Sequence, residues 1–515
     1  MHSLLFTRRF GPLFATSVLG AVNDNILRTA VFVYAAMTIP AEQAAAIGLM
    51  AAGMFTLPFV LFSAFAGTLA DRHEKASIVR IVKMLEVVIA LGAGVAFASG
   101  SVFAMLGVIL AMGVHSTLYG PIKQGWLPER LCDEELVSAN AWIESGTFLA
   151  ILAGTILGGL TAGFVGLAGV TALSVAVAVL GLAFALLLPK GQAAAPELPI
   201  AWNPVRGTAR MLKGLAADRV TLNAVLLLSW FWGAGSIYLS SLPAFLRAHL
   251  DASEVVITLV MALFAVGIGG GSVLVNRLLK GHVALWPVAL ASAVMAVGAL
   301  TLWAGLVWLP EGTGMGGLLG SVPGWIVVAG LLAVAAGGGV FTIPLAATVQ
   351  HRAVPDARAR TMAAMGVATS LGIAASSAMT SSAVAAGLPI RGLFLAVAVL
   401  SLGVVALTVR FFPRESLQGL MRAIILKWFR VEIVGAEHLR TAGPLVVAPN
   451  HVSLIDGPLL FSLIERDCAF AMDTGWANKP FLNKLASSSP SRRSTPSSRC
   501  RRRASCSASG RAKPA

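Results

Sequence analysis

The feature that most constrains this chain is a series of twelve long apolar segments separated by short polar loops. Each segment has about 20 residues or more, the length that an α-helix needs to cross the hydrocarbon core of a bilayer. Only 12% of the 515 residues are charged, whereas soluble domains contain roughly 25%. The sequence therefore predicts an all-α membrane protein with spans at about 11–38, 47–69, 78–99, 102–122, 143–165, 167–188, 221–246, 255–276, 283–308, 324–349, 361–386 and 389–412.

Basic residues are concentrated in alternate loops. Arg72 and Lys75 follow span two, Lys123 and Arg130 follow span four, and further arginines and lysines follow spans six, eight and ten. The intervening loops hold few basic residues. Because basic loops remain on the cytoplasmic side of a membrane, this alternation predicts that both ends of the twelve-span unit are cytoplasmic.

The longest predicted inner loop, residues 189–220, divides the spans into two sets of six, with predicted halves 1–188 and 221–412. Residues 71–75, after span two, read Asp-Arg-His-Glu-Lys, and residues 276–280, after span eight, read Asn-Arg-Leu-Leu-Lys. Both fit the pattern Asp/Asn-Arg-x-x-Lys and follow the second span of their half, which indicates an internal duplication. The alternative is a chance match, because inner loops are generally basic and rich in turns.

Residues 67–75 resemble the signature loop of the major facilitator superfamily, G-x-L-A-D-R-x-x-R/K. Gly67 permits close helix packing, and Asp71 can accept hydrogen bonds from a helix N-terminus or from an arginine across the bundle. The resemblance implies a twelve-helix major facilitator fold, in which two six-helix bundles rock about a central site. We expect a conformational latch that stabilises one access state and breaks in the other, formed by Gly67, Asp71, Arg72, Lys75, Asn276 and Arg277.

The first span contains the polar triplet Asn23-Asp24-Asn25. Polar side chains in the middle of an apolar helix are costly unless they face protein or water. Asp24 and Arg28 are four residues apart and share a helical face. We therefore expect these four residues to form a substrate-binding or ion-binding site, with a cation site beside a phosphate-sized anion site. The alternative is a buried Asp24–Arg28 pair that fixes helix packing.

Isolated polar residues in other spans are weaker candidates. We expect Lys83 and Lys123 to extend their ammonium groups to the inner surface of the membrane. Others lie within or near spans, and each alone is more often structural than substrate-binding: Glu86, His115, Glu144 and Asn223. The spacing of the four cysteines indicates no metal site and no disulfide framework, and we expect no cofactor.

The chain changes character after residue 412. Residues 413–430 are predicted to form an interfacial amphipathic helix, and two strand-like runs follow at 431–434 and 445–448. His451 and Asp456, directly after the second run, resemble the catalytic block of the glycerolipid acyltransferase family. The resemblance implies that His451 is a general base for a lysolipid hydroxyl and that Asp456 orients its imidazole. The Phe-Pro-Glu-Gly-x-Arg block of that family is missing, so we predict that residues 431–486 are a truncated, non-functional α/β fragment.

Residues 487–515 form a low-complexity segment of Ser, Arg, Pro and Ala, with eight basic residues and no acidic ones. Such a composition cannot pack a core and predicts a disordered tail. We interpret this tail as the product of a reading-frame shift; the alternative is a genuine basic tail that binds anionic lipid. Because the tail accounts for more than half of the net charge of +15, that charge does not indicate a nucleic-acid partner.

Together the two parts resemble the lysophospholipid transporter family fused to a 2-acylglycerophosphoethanolamine acyltransferase. The resemblance implies transport of lysophosphatidylethanolamine or lysophosphatidylglycerol to the inner leaflet of a bacterial inner membrane, where the lipid is re-acylated. The implied partners are the lysophospholipid, membrane lipid and, if the enzyme part works, an acyl carrier protein or acyl-CoA donor. Two alternatives remain open: a bifunctional transporter–acyltransferase, and a major facilitator exporter of drugs or metabolites.

Overall fold

The computed structural model of the chain describes residues 2–38, 41–200, 202–312, 314–429, 431–432, 434, 445–450, 452–453 and 455–464. Within these ranges every regular element is helical. The α-helices, in chain order, are α1 His2–Leu5, α2 Gly11–Thr38, α3 Ala41–Arg72, α4 Lys75–Ala98, α5 Val102–Arg130, α6 Asp133–Phe164, α7 Leu167–Leu186, α8 Pro204–Ala216, α9 Arg219–Leu250, α10 Glu254–Leu279, α11 Trp286–Trp308, α12 Gly314–Gly320, α13 Val322–Arg352, α14 Arg358–Ala385, α15 Ile390–Phe411, α16 Pro413–Trp428 and α17 Asp456–Leu463; a short 3-10 helix, Pro355–Ala357, precedes α14.

The chain is a multi-pass membrane protein. Among the described residues, eleven helices are long and apolar enough to cross a membrane. The twelfth long helix is α2, whose 28 residues give a length of about 42 Å at roughly 1.5 Å per residue. The residues Asn23, Asp24, Asn25 and Arg28 lower the mean hydropathy of α2, so the most apolar stretch of α2 is less apolar than those of the other eleven helices. These twelve helices correspond in number and order to the predicted spans.

The same helix pairings occur in both halves of the bundle. In the first half α2 packs on α6, α3 on α5 and α4 on α7; in the second half α9 packs on α14, α10 on α13 and α11 on α15. If the six long helices of each half are numbered in chain order, the first helix packs on the fifth, the second on the fourth and the third on the sixth. The halves meet through α3 with α14 and through α6 with α10, again a second helix against a fifth. This repetition is what a duplicated six-helix unit would produce.

The basic loops lie at one end of this bundle, which we call the basic face. It contains the last residues of α3, α5, α10 and α13 and the first residues of α4, α6, α9 and α14. At the start of α9, Asp218 accepts hydrogen bonds from Arg352 Nε at 2.6 Å and Arg352 Nη2 at 3.0 Å. The hydrogen bond from Arg352 lowers the pKa of Asp218 to about 2, so this link between α9 and α13 persists at neutral pH.

Glycines bring α2 and α6 into backbone contact. A methyl group at Gly154 would lie 2.4 Å from the carbonyl oxygen of Val22, and one at Gly158 would lie 2.7 Å from that of Ile26. The two glycines are four residues apart and therefore lie on the same face of α6. This small-xxx-small arrangement allows close approach where lipid supplies no hydrophobic driving force for helix association.

A single methyl group at Gly154 is therefore expected to destabilise the first half. The Gly154→Ala variant must separate α2 from α6, and such overpacking costs about 1–3 kcal/mol. Thermal melting of the detergent-purified protein should show a lower midpoint. Gly163→Ala is the matched control on the same helix, because a methyl group there meets no atom within 4 Å. Equal melting of the two variants would contradict the packing argument.

The chain divides into two compact units, Met1–Gly419 and Leu420–Ala515, so the boundary falls inside α16 rather than at its start. Along the second part of α16, Leu420, Ile424 and Trp428 are exposed and share one face, as an interfacial helix requires. The strand-like run at 445–448 forms no strand in the part of the chain that the structure describes. A strand needs a hydrogen-bonded neighbour, and the described residues of this unit supply none.

Candidate functional site

The carboxylate of Asp71 joins the two halves at the basic face. It lies at the end of α3 and accepts hydrogen bonds from the backbone N–H of Ala359 at 2.9 Å and of Arg360 at 3.1 Å. Arg360 Nε donates a third hydrogen bond at 3.0 Å. The side chain of Asp71 is 0% exposed. Asp71 thus satisfies free N–H groups in the first turn of α14 and neutralises an arginine of the same turn.

The rest of the signature loop supports this contact. Gly67 lies against α14, where a methyl group would come within 2.8 Å of the Ala363 side chain. Lys75 pairs with Glu129 at 2.7 Å inside the first half, and Arg72 donates to the carbonyl of Leu198 at 3.3 Å. Of the first-half latch residues, the structure therefore brings Gly67 and Asp71 against the second half.

Glu74 closes the turn between α3 and α4. Its carboxylate accepts hydrogen bonds from the backbone N–H of Ala76 at 3.0 Å and of Ser77 at 2.8 Å, so it caps α4. It also accepts one from the backbone N–H of Gly191 in the central loop, at 3.0 Å. Burial alone would raise the pKa of Glu74, but the hydrogen bonds from Ser77, Ala76 and Gly191 outweigh it and hold the pKa below its ordinary value.

The corresponding turn of the second half makes the equivalent contact with the first half. Asn276, near the end of α10, accepts a hydrogen bond from Ser138 Oγ of α6 at 2.6 Å. Arg277 is exposed, so the hydrogen bond between this turn and the other half is made by Asn276, one of the two predicted second-half residues. The two contacts occupy equivalent places, since each joins the end of a second helix to the start of a fifth.

Amide side chains form a third link between the halves. Gln350 of α13 exchanges hydrogen bonds with Asn140 of α6 at 2.6 and 3.0 Å, and it donates to Gln124 Oε1 of α5 at 2.7 Å. Nearby, His351 lies 3.0 Å from a carboxylate oxygen of Asp133. The polar contacts just described join the halves at the basic face, so this end of the bundle is closed.

A cavity of about 250 Å³ lies between the halves above these amides. Its walls come from α3, α5, α6, α9, α13 and α14, so both bundles contribute. Its charged side chains are Lys123 of α5 and Glu144 of α6, and Trp232 of α9 covers part of the apolar wall. Sequence reasoning placed the ammonium group of Lys123 at the membrane surface and ranked Glu144 as a weak candidate. Only the helix arrangement shows that both line one cavity.

A second polar cluster is buried inside the first half. Lys83 Nζ donates to Glu86 Oε2 at 2.7 Å, and His115 Nε2 lies 3.3 Å from the same oxygen. Asn23 Nδ2 donates to Glu86 Oε1 at 3.0 Å, and Asn23 Oδ1 accepts a hydrogen bond from Ser174 Oγ at 2.6 Å. Lys83 is 0% exposed, so the expectation that it reaches the inner surface is wrong. Its pairing with Glu86 stabilises the charge within the protein.

The predicted site of the first span is split among different neighbours. Asn23 belongs to the buried cluster just described. Asn25 donates to the carbonyl of Ala21 at 2.7 Å and packs against Gly154. Asp24 accepts a hydrogen bond from Ser116 at 2.8 Å, and its other oxygen is buried without a hydrogen-bond partner.

The guanidinium of Arg28 lies 4.3 Å from the centre of the Phe55 ring. Among the described residues, the ion pairs within 4.0 Å do not include Asp24 with Arg28. The structure therefore places Asp24 and Arg28 on one face of α2 without joining them.

The acyltransferase-like segment is described only in part. His451 lies outside the described residues. Asp456 begins α17, and its carboxylate accepts hydrogen bonds from the backbone N–H of Val452 at 2.7 Å and of Ser453 at 2.8 Å. The carboxylate thereby fixes the turn that follows position 451. Among the described residues, no group of three or more His, Cys, Asp or Glu side chains could hold a metal ion.

Comparison with known families defines the class of protein. The family model described as Major Facilitator Superfamily matches residues 13–323, which is more than half of the chain. The chain therefore belongs to the major facilitator superfamily, as the signature loop predicted. A second family model, described as Acyltransferase, matches residues 430–511. The chain thus joins a major facilitator unit to an acyltransferase-family segment, and the predicted fusion is confirmed.

Within the superfamily, similar curated proteins include lysophospholipid transporters named LplT. The one from Cronobacter sakazakii is 31% identical over 272 residues, which are 52% of this chain and 66% of that protein. Those from Pectobacterium carotovorum and Yersinia pestis are 31% and 30% identical, over 42% and 58% of this chain and 52% and 68% of their own lengths. The chain thus spans between about half and two thirds of these relatives.

Solved structures show the same fold at low sequence identity. A bacterial homologue of the iron transporter ferroportin in an outward-facing state has a TM-score of 0.59 at 16% identity, covering 80% of this chain and 100% of that one. The Escherichia coli fucose:proton symporter FucP has a TM-score of 0.58 at 14% identity, covering 79% and 98%. At such identities the likeness concerns the fold alone, and the predicted twelve-helix fold is confirmed.

Proposed function

We propose that this chain transports lysophospholipids, lysophosphatidylethanolamine or lysophosphatidylglycerol, to the leaflet at the basic face for re-acylation. The observation that carries the proposal is the joint match of one chain to lysophospholipid transporters and to an acyltransferase family. A lysophospholipid has one free hydroxyl where an acyl chain is missing, so it is the natural acceptor for such an enzyme. The concentration of basic residues in these loops supports a cytoplasmic basic face, in a bacterial inner membrane.

The transport cycle follows from the contacts between the halves. With the basic face closed, the cavity can receive lipid only from the opposite side of the bundle. Release at the basic face requires the contact of Asp71 with α14 and that of Asn276 with α6 to break. We therefore propose that the signature turn and its second-half counterpart act as two conformational latches, which comprise Gly67, Asp71, Arg72, Lys75, Asn276 and Arg277.

A second candidate function is a transporter that also re-acylates its cargo. The acyltransferase match at residues 430–511 favours it, whereas the missing Glu-Gly-Arg block argues against it. Purified chain incubated with lysophosphatidylethanolamine and labelled acyl-CoA or acyl carrier protein distinguishes the two. If the parent chain forms labelled diacyl lipid and His451→Ala does not, the chain is bifunctional. If the parent chain forms none, the chain is a transporter without acyltransferase activity.

Uptake of labelled lysophosphatidylethanolamine into spheroplasts tests the transport proposal, with Asp24→Asn as the informative variant. We expect uptake by this variant to be at least about tenfold lower than uptake by the parent chain. A hydrogen bond to a charged group contributes about 1.5–3 kcal/mol, and a tenfold change corresponds to about 1.4 kcal/mol.

Asp251→Asn is the matched control for Asp24→Asn. Asp251 is exposed at the end of α9 with a φ of 52°, a conformation that asparagine tolerates well. Parent-like uptake in Asp24→Asn would remove Asp24 from the mechanism. Absence of uptake by the parent chain would overturn the proposed substrate.

A further inference from the structure

The central cavity holds one cationic and one anionic side chain at membrane depth. Lys123 lies seven residues before the end of α5 at Arg130, and Glu144 lies eleven residues after the start of α6 at Asp133. At about 1.5 Å per residue, these positions are roughly 10 and 16 Å from the helix ends at the basic face. Charges at such depth are costly and face protein, water or a ligand.

In the described part of the chain, neither of these charges is held in an ion pair, unlike two other buried charges. In the described part of the chain, Asp71 pairs with Arg360 and Lys83 pairs with Glu86. The ion pairs of the same residues include neither Lys123 nor Glu144. Moreover, Oε1 of Glu144 is buried without a hydrogen-bond partner. A buried carboxylate oxygen that lacks a partner requires one from elsewhere.

The other polar side chains of the cavity already have hydrogen-bond partners. The hydroxyl groups donate to carbonyl oxygens of their own helices: Ser63, Thr117, Thr342 and Thr369. Gln124 and Asn140 both hydrogen-bond to Gln350, so the amides close the cavity towards the basic face. Lys123 offers up to three N–H donors to an anion, and Glu144 offers carboxylate oxygens to a cation. A ligand that satisfies both must carry a negative and a positive group close together.

The size of the cavity suits a lipid head group. Its volume of about 250 Å³ lies just below the roughly 300–1,000 Å³ of pockets that enclose whole drug-sized ligands. A phosphate joined to a primary ammonium through two carbons fits this space, whereas a long acyl chain in addition does not. The acyl chain must then leave the cavity between helices.

We propose that Lys123 and Glu144 recognise a zwitterionic phosphoethanolamine head group, with the phosphate bound by Lys123 and the ammonium bound by Glu144. This inference rests on the proposed function and specifies its preferred substrate. A phosphoglycerol head group has the phosphate but no ammonium, so it leaves the carboxylate of Glu144 without a cation. The site thereby favours lysophosphatidylethanolamine over lysophosphatidylglycerol.

Competitive uptake of the two lysolipids, carrying different isotopes, into proteoliposomes tests this preference. For Glu144→Gln we expect the ratio of lysophosphatidylethanolamine to lysophosphatidylglycerol uptake to fall by about tenfold, because one charge-assisted hydrogen bond is lost. Glu144→Asp keeps the charge and should recover part of the ratio. Glu311→Gln is the matched control, since it removes an exposed carboxylate distant from the cavity; the Glu311 side chain is 74% exposed.

The outcomes separate this inference from the proposed function. Transport of neither lipid by the parent chain would overturn the proposed function. The head-group assignment alone would be overturned if the parent chain transports both lipids and the uptake ratio of the two lipids in Glu144→Gln stays within about twofold of the parent ratio. If Glu144→Gln proves inactive with both lipids, carbodiimide labelling of Glu144 in the parent chain decides. Stronger protection by lysophosphatidylethanolamine supports the assignment, and equal protection by the two lipids overturns it.

Discussion

Replacement of Asp71 with alanine is expected to reduce lysophospholipid uptake by at least about tenfold. The Asp71 carboxylate caps α14 through two backbone N–H groups and pairs with Arg360. Loss of a helix cap costs about 0.5–2 kcal/mol, and loss of a charge-assisted hydrogen bond costs about 1.5–3 kcal/mol. In the proposed latch these contacts break when the basic face opens, so their loss destabilises the closed state and shifts the population towards the open state.

Distances between spin labels at His73 and Val354 measure this shift. Both residues are exposed at the basic face, one in each half, and the four native cysteines are first replaced. Asp71→Ala should lengthen the distance. Asp71→Asn keeps an oxygen that can cap α14 and should give an intermediate result. Lys213→Ala is the control, because Lys213 is exposed on α8 and belongs to neither latch. Parent-like distances and uptake in Asp71→Ala would exclude Asp71 as a latch.

Most of the helical bundle could be predicted from hydropathy, because each helix must be long and apolar enough to cross lipid. The helix ends at the basic face could not. The predicted fourth span ends near residue 122 and the fifth begins near 143, whereas α5 continues to Arg130 and α6 begins at Asp133. Hydropathy ends a predicted span where polar residues begin. The helices continue through those residues, and Asn140 and Gln124 among them join the two halves.

Little of the candidate site could be predicted from the sequence. The sequence indicates the chemical type of a partner where a buried side chain needs one, but it does not say which residue that partner is. A buried Asp71 at a helix end requires N–H donors, but its partner Ala359 is 288 residues away, which the sequence cannot reveal. The triplet at 23–25 shows the opposite problem, since consecutive residues rotate by about 100° around a helix. Asn23 and Asn25 consequently face different neighbours from Asp24. Isolated charges such as Lys83 and Lys123 look alike in sequence, and only the fold separates a paired lysine from a cavity lysine.

Replacement of Lys83 with methionine is expected to produce a large loss of stability. Lys83 and Glu86 are both almost completely buried, and Nζ of Lys83 lies 2.7 Å from Oε2 of Glu86. Removing one partner of such a pair leaves an uncompensated charge inside the bundle and typically costs about 3–5 kcal/mol. His115 and Asn23 remain near the Glu86 carboxylate, but neither carries the fixed positive charge of a lysine. Thermal melting in detergent and the amount of folded protein in the membrane should both fall.

A double variant separates this electrostatic cost from lost packing. In Lys83→Met with Glu86→Met both charges are replaced by apolar side chains, and such replacements of buried pairs are often neutral or stabilising. The double variant should therefore have a higher melting temperature than Lys83→Met. This difference would not occur if Lys83→Met lost stability because the shape of the lysine side chain was lost. Lys213→Met on the exposed face of α8 removes the same charge at the surface, where changes are usually within about 0.5 kcal/mol. If Lys83→Met and Lys213→Met had the same melting temperature, the buried pair would not stabilise the first half.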